Sequence, residues 1–480
     1  METSPETPTF WTRYQLHVYA IPRLGGSLLL TLQAFVITFL YSQVYGLSGI
    51  LTGVNTGLGF LSIAAAQFLM SWWSDRTNTR WGRRRPFVLF GTPFLTVSFF
   101  LLFTPPLFLG AAPGQNSLFT WMLVWNCTFE FFYGLVTGPY QAMLPEITVQ
   151  PQRPRASQLQ NIYSYIGIGI GVVLTLLGIT KLTDEIQATG NLNAPFIIIF
   201  LACAAGMACT FYIFTSKMTP EKPQFVAREP LLPNLKEVIH NKNFLRISLF
   251  IGIVNIAVSM IVSLILGFVK EVFHLMTSYI SLGSFHLPYY YLAAVILIVG
   301  ILSFLAVWRR LVEKRGKKTT LQVVLVFGIC FLPFTLLGYI QSNDMGLVGV
   351  FLVLALTSFL GGYYLFPYIL YADFAEDDVR RTNNFKAGLY GGFPPIFINL
   401  FQALTAFVII GPLIDKSLMG ILPGTTVAVG YVWWGPIGAA CLLVALLFLR
   451  KYVILDFAWE REMKDATKTT LETSYNSETS

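Results

Sequence analysis

The sequence predicts an all-α membrane protein of twelve transmembrane helices, arranged as two six-helix pseudo-repeats with both termini in the cytoplasm. Three observations predict it. Of the 480 residues, 55% are hydrophobic and only 12% charged, against about a quarter charged in soluble domains. The apolar residues gather into runs of about 20, the length that crosses a hydrocarbon core of about 30 Å. The basic residues between those runs fall almost entirely on alternate loops.

The runs lie near residues 22–45, 50–72, 87–108, 118–142, 161–180, 194–215, 245–269, 287–308, 320–340, 346–371, 389–411 and 428–449. With that division the even-numbered loops hold 22 of the 32 Lys and Arg residues, the odd-numbered loops only Lys181, Lys270 and Lys416, and the tails the remaining seven. Positive residues stay on the cytoplasmic side, so the even loops and both termini are placed there. A missed or invented span would destroy the asymmetry. Orientation also accounts for the formal charge of +8, so no nucleic-acid partner is expected.

The chain divides into a cytoplasmic tail (1–21), a six-helix bundle (22–215), a cytoplasmic linker (216–243), a second six-helix bundle (244–450) and a cytoplasmic tail (451–480). The linker carries Lys217, Glu221, Lys222, Arg228 and Glu229 among several prolines, and is the long polar stretch between spans. The first twenty residues lack the basic-then-apolar order of a signal peptide, so nothing is expected to be removed. Beyond about Lys464 the Ser/Thr-rich tail is too polar to pack and is expected to be disordered. The five cysteines fall in apolar runs, where they act as small hydrophobes rather than disulfide or metal ligands.

The loop between the second and third runs reads Ser74-Asp75-Arg76-Thr77-Asn78-Thr79-Arg80-Trp81-Gly82-Arg83-Arg84-Arg85-Pro86-Phe87. A weaker copy, Glu313-Lys314-Arg315-Gly316-Lys317-Lys318, lies about 240 residues later. A second echo pairs Gly138-Pro139-Tyr140-Gln141-Ala142-Met143-Leu144-Pro145-Glu146 with Phe366-Pro367-Tyr368-Ile369-Leu370-Tyr371-Ala372-Asp373. Each of those acids is followed seven residues later by an arginine, Arg153 and Arg380. Such correspondence is expected of repeats that rock against each other around a midplane site.

An ionisable residue deep in a bilayer costs at least about 2.5 kcal/mol on insertion scales, so one that persists there is a functional candidate. Glu130 lies in the middle of the fourth run. Asn126, Tyr133, Thr137 and Gln141 recur around it at helical spacing, putting an amide, a phenol, a hydroxyl and a second amide on the carboxylate's face. Burial disfavours the charged form of a carboxyl, so Glu130 is a group that can exchange a proton and couple it to a solute. Arg155, at the start of the fifth run, is the nearest candidate to balance its charge. Against this stands a purely structural role, a protonated Glu130 bonding one helix to another.

Other spans offer amides at depth: Gln33, Asn55, Gln67, Asn161, Asn255, Asn399 and Gln402. Amides both donate and accept, which suits sugar hydroxyls. Tyr363, Tyr364, Trp125, Trp433 and Trp434 supply aromatic faces that stack on sugar rings or pack in the belt. No phosphate-binding loop, metal spacing or paired histidines occur, so neither an enzyme nor a cofactor is expected.

The Asp75 loop resembles the signature of the major facilitator superfamily, in which the acid pairs with a neighbouring helix end. That resemblance implies a gating role for Asp75, Arg83 and Arg84, and by repetition for Glu146, Arg153, Glu313, Asp373 and Arg380. Together with the Gly138–Glu146 stretch, the loop is similar to the glycoside–pentoside–hexuronide cation symporters. The Arg-Arg-Arg-Pro-Phe ending is closer to the sucrose–proton symporters. In the sucrose group a membrane aspartate precedes the Gly-Pro of the fourth helix by eight residues, and Glu130 occupies that place, one methylene longer. Arg155 matches an arginine linked there to sugar and proton coupling. The melibiose-type sodium carboxylates of the second helix fall on Ile63 and Gln67, and that of the fourth on Thr137, so a sodium site of that design is absent.

The expectation is therefore a secondary active transporter that moves a sugar or glycoside with protons by alternating access. It is expected to be a monomer and multi-pass in the plasma membrane, with small-molecule solute, protons and bilayer as its partners. Two other readings stay open: a lipid or other organic solute carried on the same fold, and a non-transporting sensor or scaffold.

Overall fold

The computed structural model describes residues 12–77, 79–82, 84–143, 153–217, 241–275, 278–282, 285–340, 345–382 and 394–455. The long helices are α1 (Pro22–Phe39), α2 (Gly49–Arg76), α3 (Arg85–Phe103), α4 (Gln115–Ala142), α5 (Arg153–Val173), α6 (Ala194–Lys217), α7 (Lys242–Gly267), α8 (Tyr289–Arg315), α9 (Lys317–Phe331), α10 (Met345–Thr382), α11 (Pro394–Thr405) and α12 (Gly430–Tyr452). Lipid offers no partner to a backbone N–H or C=O, so an apolar run of this length is stable only as a helix or in a closed barrel.

Nine of the described helices are long and apolar enough to cross a membrane. The other three predicted spans coincide with α4, α5 and α8, of 28, 21 and 27 residues. α4 carries Glu130 with Asn126 and Gln141, α5 opens on Arg155, Gln158, Gln160 and Asn161, and the end of α8 is strongly charged.

Neighbour relations repeat along the chain. In the first six helices α4 packs against α2 and α3, α1 against α5 and α6, and α3 against α6; advancing each number by six gives pairs that also pack. Buried apolar side chains form one cluster almost wholly from α1–α6 and another almost wholly from α7–α12. Across the two sets, α1 meets α7, α2 meets α11 and α5 meets α8.

Several boundaries differ from the sequence expectation. Residues Arg13–Ala20, read as part of a tail, form a helix closed by a capping box between Thr12 and Gln15. Its Leu16, Val18, Tyr19 and Ala20 are buried, and α5 and α6 pack against it. The basic stretch from Arg309 is not a loop: α8 runs to Arg315, α9 starts at Lys317, and Gly316 alone, at φ +82°, turns the chain. The first-half counterpart is a true turn, with Gly82 at φ +102° and an isolated bridge from Thr79 to Gly82. A side chain would be strained at either glycine. α10 continues to Thr382, eleven residues past the expected end. A short antiparallel hairpin, Tyr279–Leu282 with Phe285–Pro288, precedes α8. The linker between Lys217 and Asn241 and the tail beyond Leu455 lie outside the described residues.

Candidate functional site

Glu130 sits near the middle of α4, where α2 packs closely along it. Gly59 of α2 makes room: a Cβ there would lie 2.3 Å from the Asn126 Nδ2 and 3.3 Å from the Glu130 Cγ. Glu130 is 2% exposed, and its Oε2 is buried with no hydrogen-bonding partner among the described residues. A buried acceptor left unpaired costs about 1–3 kcal/mol, and a charged one more.

One helical turn away, Asn126 ties three helices together. Its Oδ1 accepts from Gln33 Nε2 of α1 at 3.2 Å, and its Nδ2 donates to the Asn55 carbonyl of α2 at 3.1 Å. Asn55 Nδ2 in turn donates to the Phe119 carbonyl at 3.3 Å, while Asn55 Oδ1 is buried without a partner among the described residues. Gln33, Asn55 and Asn126 are all buried. The structure thus assembles Glu130, Asn126, Gln33 and Asn55 around one crossing of α1, α2 and α4.

The remaining candidates are dispersed. Thr137 is buried, but its hydroxyl donates back to the Tyr133 carbonyl of its own helix at 2.6 Å. Gln141 and Asn161 are exposed, as is Arg155. Arg155 is not brought to Glu130: α5 meets α4 where Gln160 Nε2 donates to the Tyr140 hydroxyl at 3.0 Å, ten residues along α4 from Glu130, and Arg155 lies exposed on the first turn of α5 beyond that contact. In the second set of helices Asn255 donates to the Tyr363 hydroxyl at 2.5 Å and to the Ile251 carbonyl at 2.9 Å. Asn399 Nδ2 reaches Gln67 Oε1 at 3.4 Å, joining α11 to α2, and Gln402 is half-buried. Tyr363 and Trp434 are buried, Tyr364 and Trp433 exposed.

Among the expected gating residues, Arg84 is buried and its Nη1 donates to Ser74 Oγ at 3.4 Å. Glu313 accepts from Arg309 Nε at 2.9 Å within its own helix, both side chains exposed, so it does not reach a neighbouring helix. Arg83 and Glu146, and the side chains of Asp75, Arg153, Asp373 and Arg380, lie outside the described part.

A small cavity opens where α1, α5, α7, α8 and α10 converge. Phe35, Val172, Ile265, Leu266 and Val353 line it, and Thr175 contributes its one hydroxyl. At the end of the molecule opposite the Gly82 and Gly316 turns, the two sets of helices are tied together. Lys270, on a π-turn that extends α7 over Phe268–Val272, reaches Asp184 Oδ1 at 2.5 Å and Thr183 Oγ1 at 3.3 Å. Asp415 Oδ2 accepts from the Ile50 N–H at 3.2 Å. Two signals could have pointed to this end, the rarity of basic residues in the odd loops and the Gly49, Gly53, Gly57 spacing, which did not enter the sequence expectation; neither shows what the residues face.

The model of the MFS/sugar transport protein family matches residues 18–456. The isoprimeverose transporter of Lactiplantibacillus pentosus is 25% identical over 220 residues, 45% of this chain and 43% of that protein. The sodium-dependent lysophosphatidylcholine symporter 1 of Xenopus tropicalis is 23% identical over 365 residues, 70% of this chain and 65% of that one. The matches thus span less than two thirds of the length of these curated relatives. Among solved structures, the D-xylose–proton symporter superposes with a TM-score of 0.63 at 13% identity, covering 91% of this chain and 98% of its own. The nucleoside transporter NupG gives 0.61 at 14%, covering 92% and 100%. At such identities the structures report the fold.

Proposed function

The chain belongs to the MFS/sugar transport protein family, and from that premise we propose that it moves a sugar or glycoside together with protons by alternating access. Its class is shown by the family: a multi-pass integral membrane transporter, not an enzyme. The solute, the coupling ion and the plasma membrane as its location are our reading. So are twelve spans with cytoplasmic termini and two bundles, 22–215 and 244–450, joined by the linker 216–243. The repeated neighbour relations of the helices support that division.

One observation carries the coupling proposal: Glu130 is buried at the centre of a span, its Oε2 without a partner among the described residues, one turn from amides that link α1, α2 and α4. A neutral carboxyl tolerates such a place and an ion does not. Loading a proton from one side and releasing it to the other ties the carboxyl's charge to the state of the transporter. A proton then drives solute only if the two protonation states differ in solute affinity. The amides Gln33, Asn55 and Asn126 are the proposed sugar contacts beside it.

A second reading has its own support. The convergence cavity is lined almost wholly by apolar side chains, and in sequence the lysophosphatidylcholine symporters match 70% of the chain against 45% for the isoprimeverose transporter. A solute with an apolar portion suits that lining. Uptake by the reconstituted protein decides between them. Mono- and disaccharides and a lysophospholipid are offered with an imposed proton gradient, a sodium gradient or neither. Saccharide accumulation that requires the proton gradient supports the first reading; lysophospholipid movement without saccharide uptake replaces it with the second.

A further inference from the structure

Lys270 belongs to the second bundle, yet the nearest partners of its ammonium among the described residues belong to the first. Its side chain is 8% exposed. Asp184 and Thr183, on the helix Thr180–Thr189 that continues α5, hold its ammonium at 2.5 and 3.3 Å. The ring of Phe39, at the end of α1 and fully buried, lies 5.1 Å beneath it. From its own bundle Glu271 approaches at 3.9 Å, but that carboxylate also accepts from Thr426 at 3.0 Å.

An ammonium removed from water needs its donors used and its charge balanced. Among the described contacts both hydrogen-bond acceptors, and the nearer carboxylate, come from the opposite bundle, with the ring adding a cation–π contact. The position is the end opposite the basic turns, and Lys270 is one of only three basic residues in the odd-numbered loops. Close packing accompanies it: at this end Gly49 and Gly53 of α2 meet the backbone of Asp415 and Gly411 so closely that a Cβ on either would lie within 2.6 Å of it.

We infer that Lys270 and Asp184 form the latch of the outer gate, a cross-bundle ion pair over Phe39 that is made when the outer face is closed and must break for it to open. The inference rests on the alternating-access reading but not on the identity of the solute or ion. Asp184 is the half that opens to water, its side chain 60% exposed. On separation it can be resolvated while Lys270 leaves the Phe39 pocket with α7.

The test is cysteine accessibility from the outside in full-length protein in proteoliposomes. Thr175 is buried and lines the convergence cavity, so a membrane-impermeant maleimide reaches Thr175→Cys from outside only through an opened gate. Labelling is measured with and without Thr175→Cys, so the native cysteines cancel. Asp184→Asn and Lys270→Ala should each raise the labelling rate at least about fivefold, the lower range of a coupling between two global states. Lys270→Arg, which keeps the charge, should label at the parent rate. Asp184→Asn is a small change at a water-facing site, so it stays informative if Lys270→Ala fails to fold. Parent-rate labelling of Asp184→Asn overturns the latch, even if Lys270→Ala labels faster, because the effect would then be lost packing over Phe39. Because no solute or ion gradient enters the measurement, its failure leaves the sugar–proton reading untouched, and the reverse holds.

Discussion

Gly53 of α2 and Gly411, at the start of the Gly411–Ile414 turn beyond α11, lie backbone to backbone: a Cβ on Gly53 would sit 2.5 Å from the Gly411 Cα. Gly49 meets the Asp415 backbone and Gly57 the Phe407 ring in the same way. A small residue at every fourth position gives one continuous seam, the arrangement by which membrane helices approach most closely. A leucine at Gly53 fits only if the helices part, and overpacking of this kind costs about 1–3 kcal/mol. Gly53→Leu should therefore lower uptake between about fivefold and a hundredfold. Gly206→Leu on α6, where no atom of another described helix lies within 4 Å of the missing Cβ, should transport like the parent. Equal uptake by the two variants would show that the seam plays no part in transport.

Asn126 serves two partners at once, Gln33 Nε2 and the Asn55 carbonyl. Asn126→Leu keeps the branched heavy-atom shape, leaves Gln33 Nε2 without this acceptor and takes from the Asn55 carbonyl the donor it has besides its own helix. In water-soluble proteins a buried group orphaned in this way costs about 1–3 kcal/mol; between membrane helices the measured average per hydrogen bond is nearer 0.6, because the separated helices also find partners. The membrane value governs here, so the variant should lose about 1 kcal/mol in total and melt a few degrees lower in detergent. An unchanged melting temperature would mean that this contact does not hold α1, α2 and α4 together.

The orientation predicted from charge puts Gln115, at the start of α4, outside and Lys317, at the start of α9, in the cytoplasm. Gln115 is exposed and Lys317 half-buried. Single cysteines at the two positions should react with an impermeant reagent from opposite sides of a sealed vesicle. Reaction from the same side would overturn the division into spans on which both the topology and the placing of the outer gate rest.

The helices were legible because apolar runs in lipid have few structural choices. Their ends were not. α8 and α10 continue to Arg315 and Thr382, well past the apolar residues, since hydropathy registers the bilayer boundary while Lys, Arg and Glu remain good helix formers in water. Glu130 and Asn126 stand out in one helix by spacing alone. That Gln33 and Asn55 join them depends on which helices are neighbours, and that Arg155 does not depends on the level at which α5 meets α4. Sequence position alone placed Arg155 near Glu130, but α5 touches α4 at Tyr140, near the end of α4, and leaves Arg155 exposed beyond it. Gly59 carried no signal at all, because its contribution is the space that a side chain would fill.

Glu130 separates a symporter from a facilitator and from a scaffold. Glu130→Gln removes the ionisable group while keeping nearly the same volume and one carbonyl acceptor, so it stands in permanently for the neutral state. If the carboxyl is the coupling group, the variant should still bind solute and exchange it across the membrane. It should fail to accumulate solute against a gradient, since a site that never changes charge gives the proton no differential affinity to act through. Glu130→Ala should lose binding as well, because the hydrogen-bonding group itself is gone beside Asn126. The two readouts are counterflow of preloaded solute and net uptake under an imposed proton gradient, measured on the same vesicles. Counterflow near the parent rate with net accumulation lost is the expected result for Glu130→Gln. Accumulation equal to the parent's would make this carboxyl a structural bond between helices and place the coupling group elsewhere.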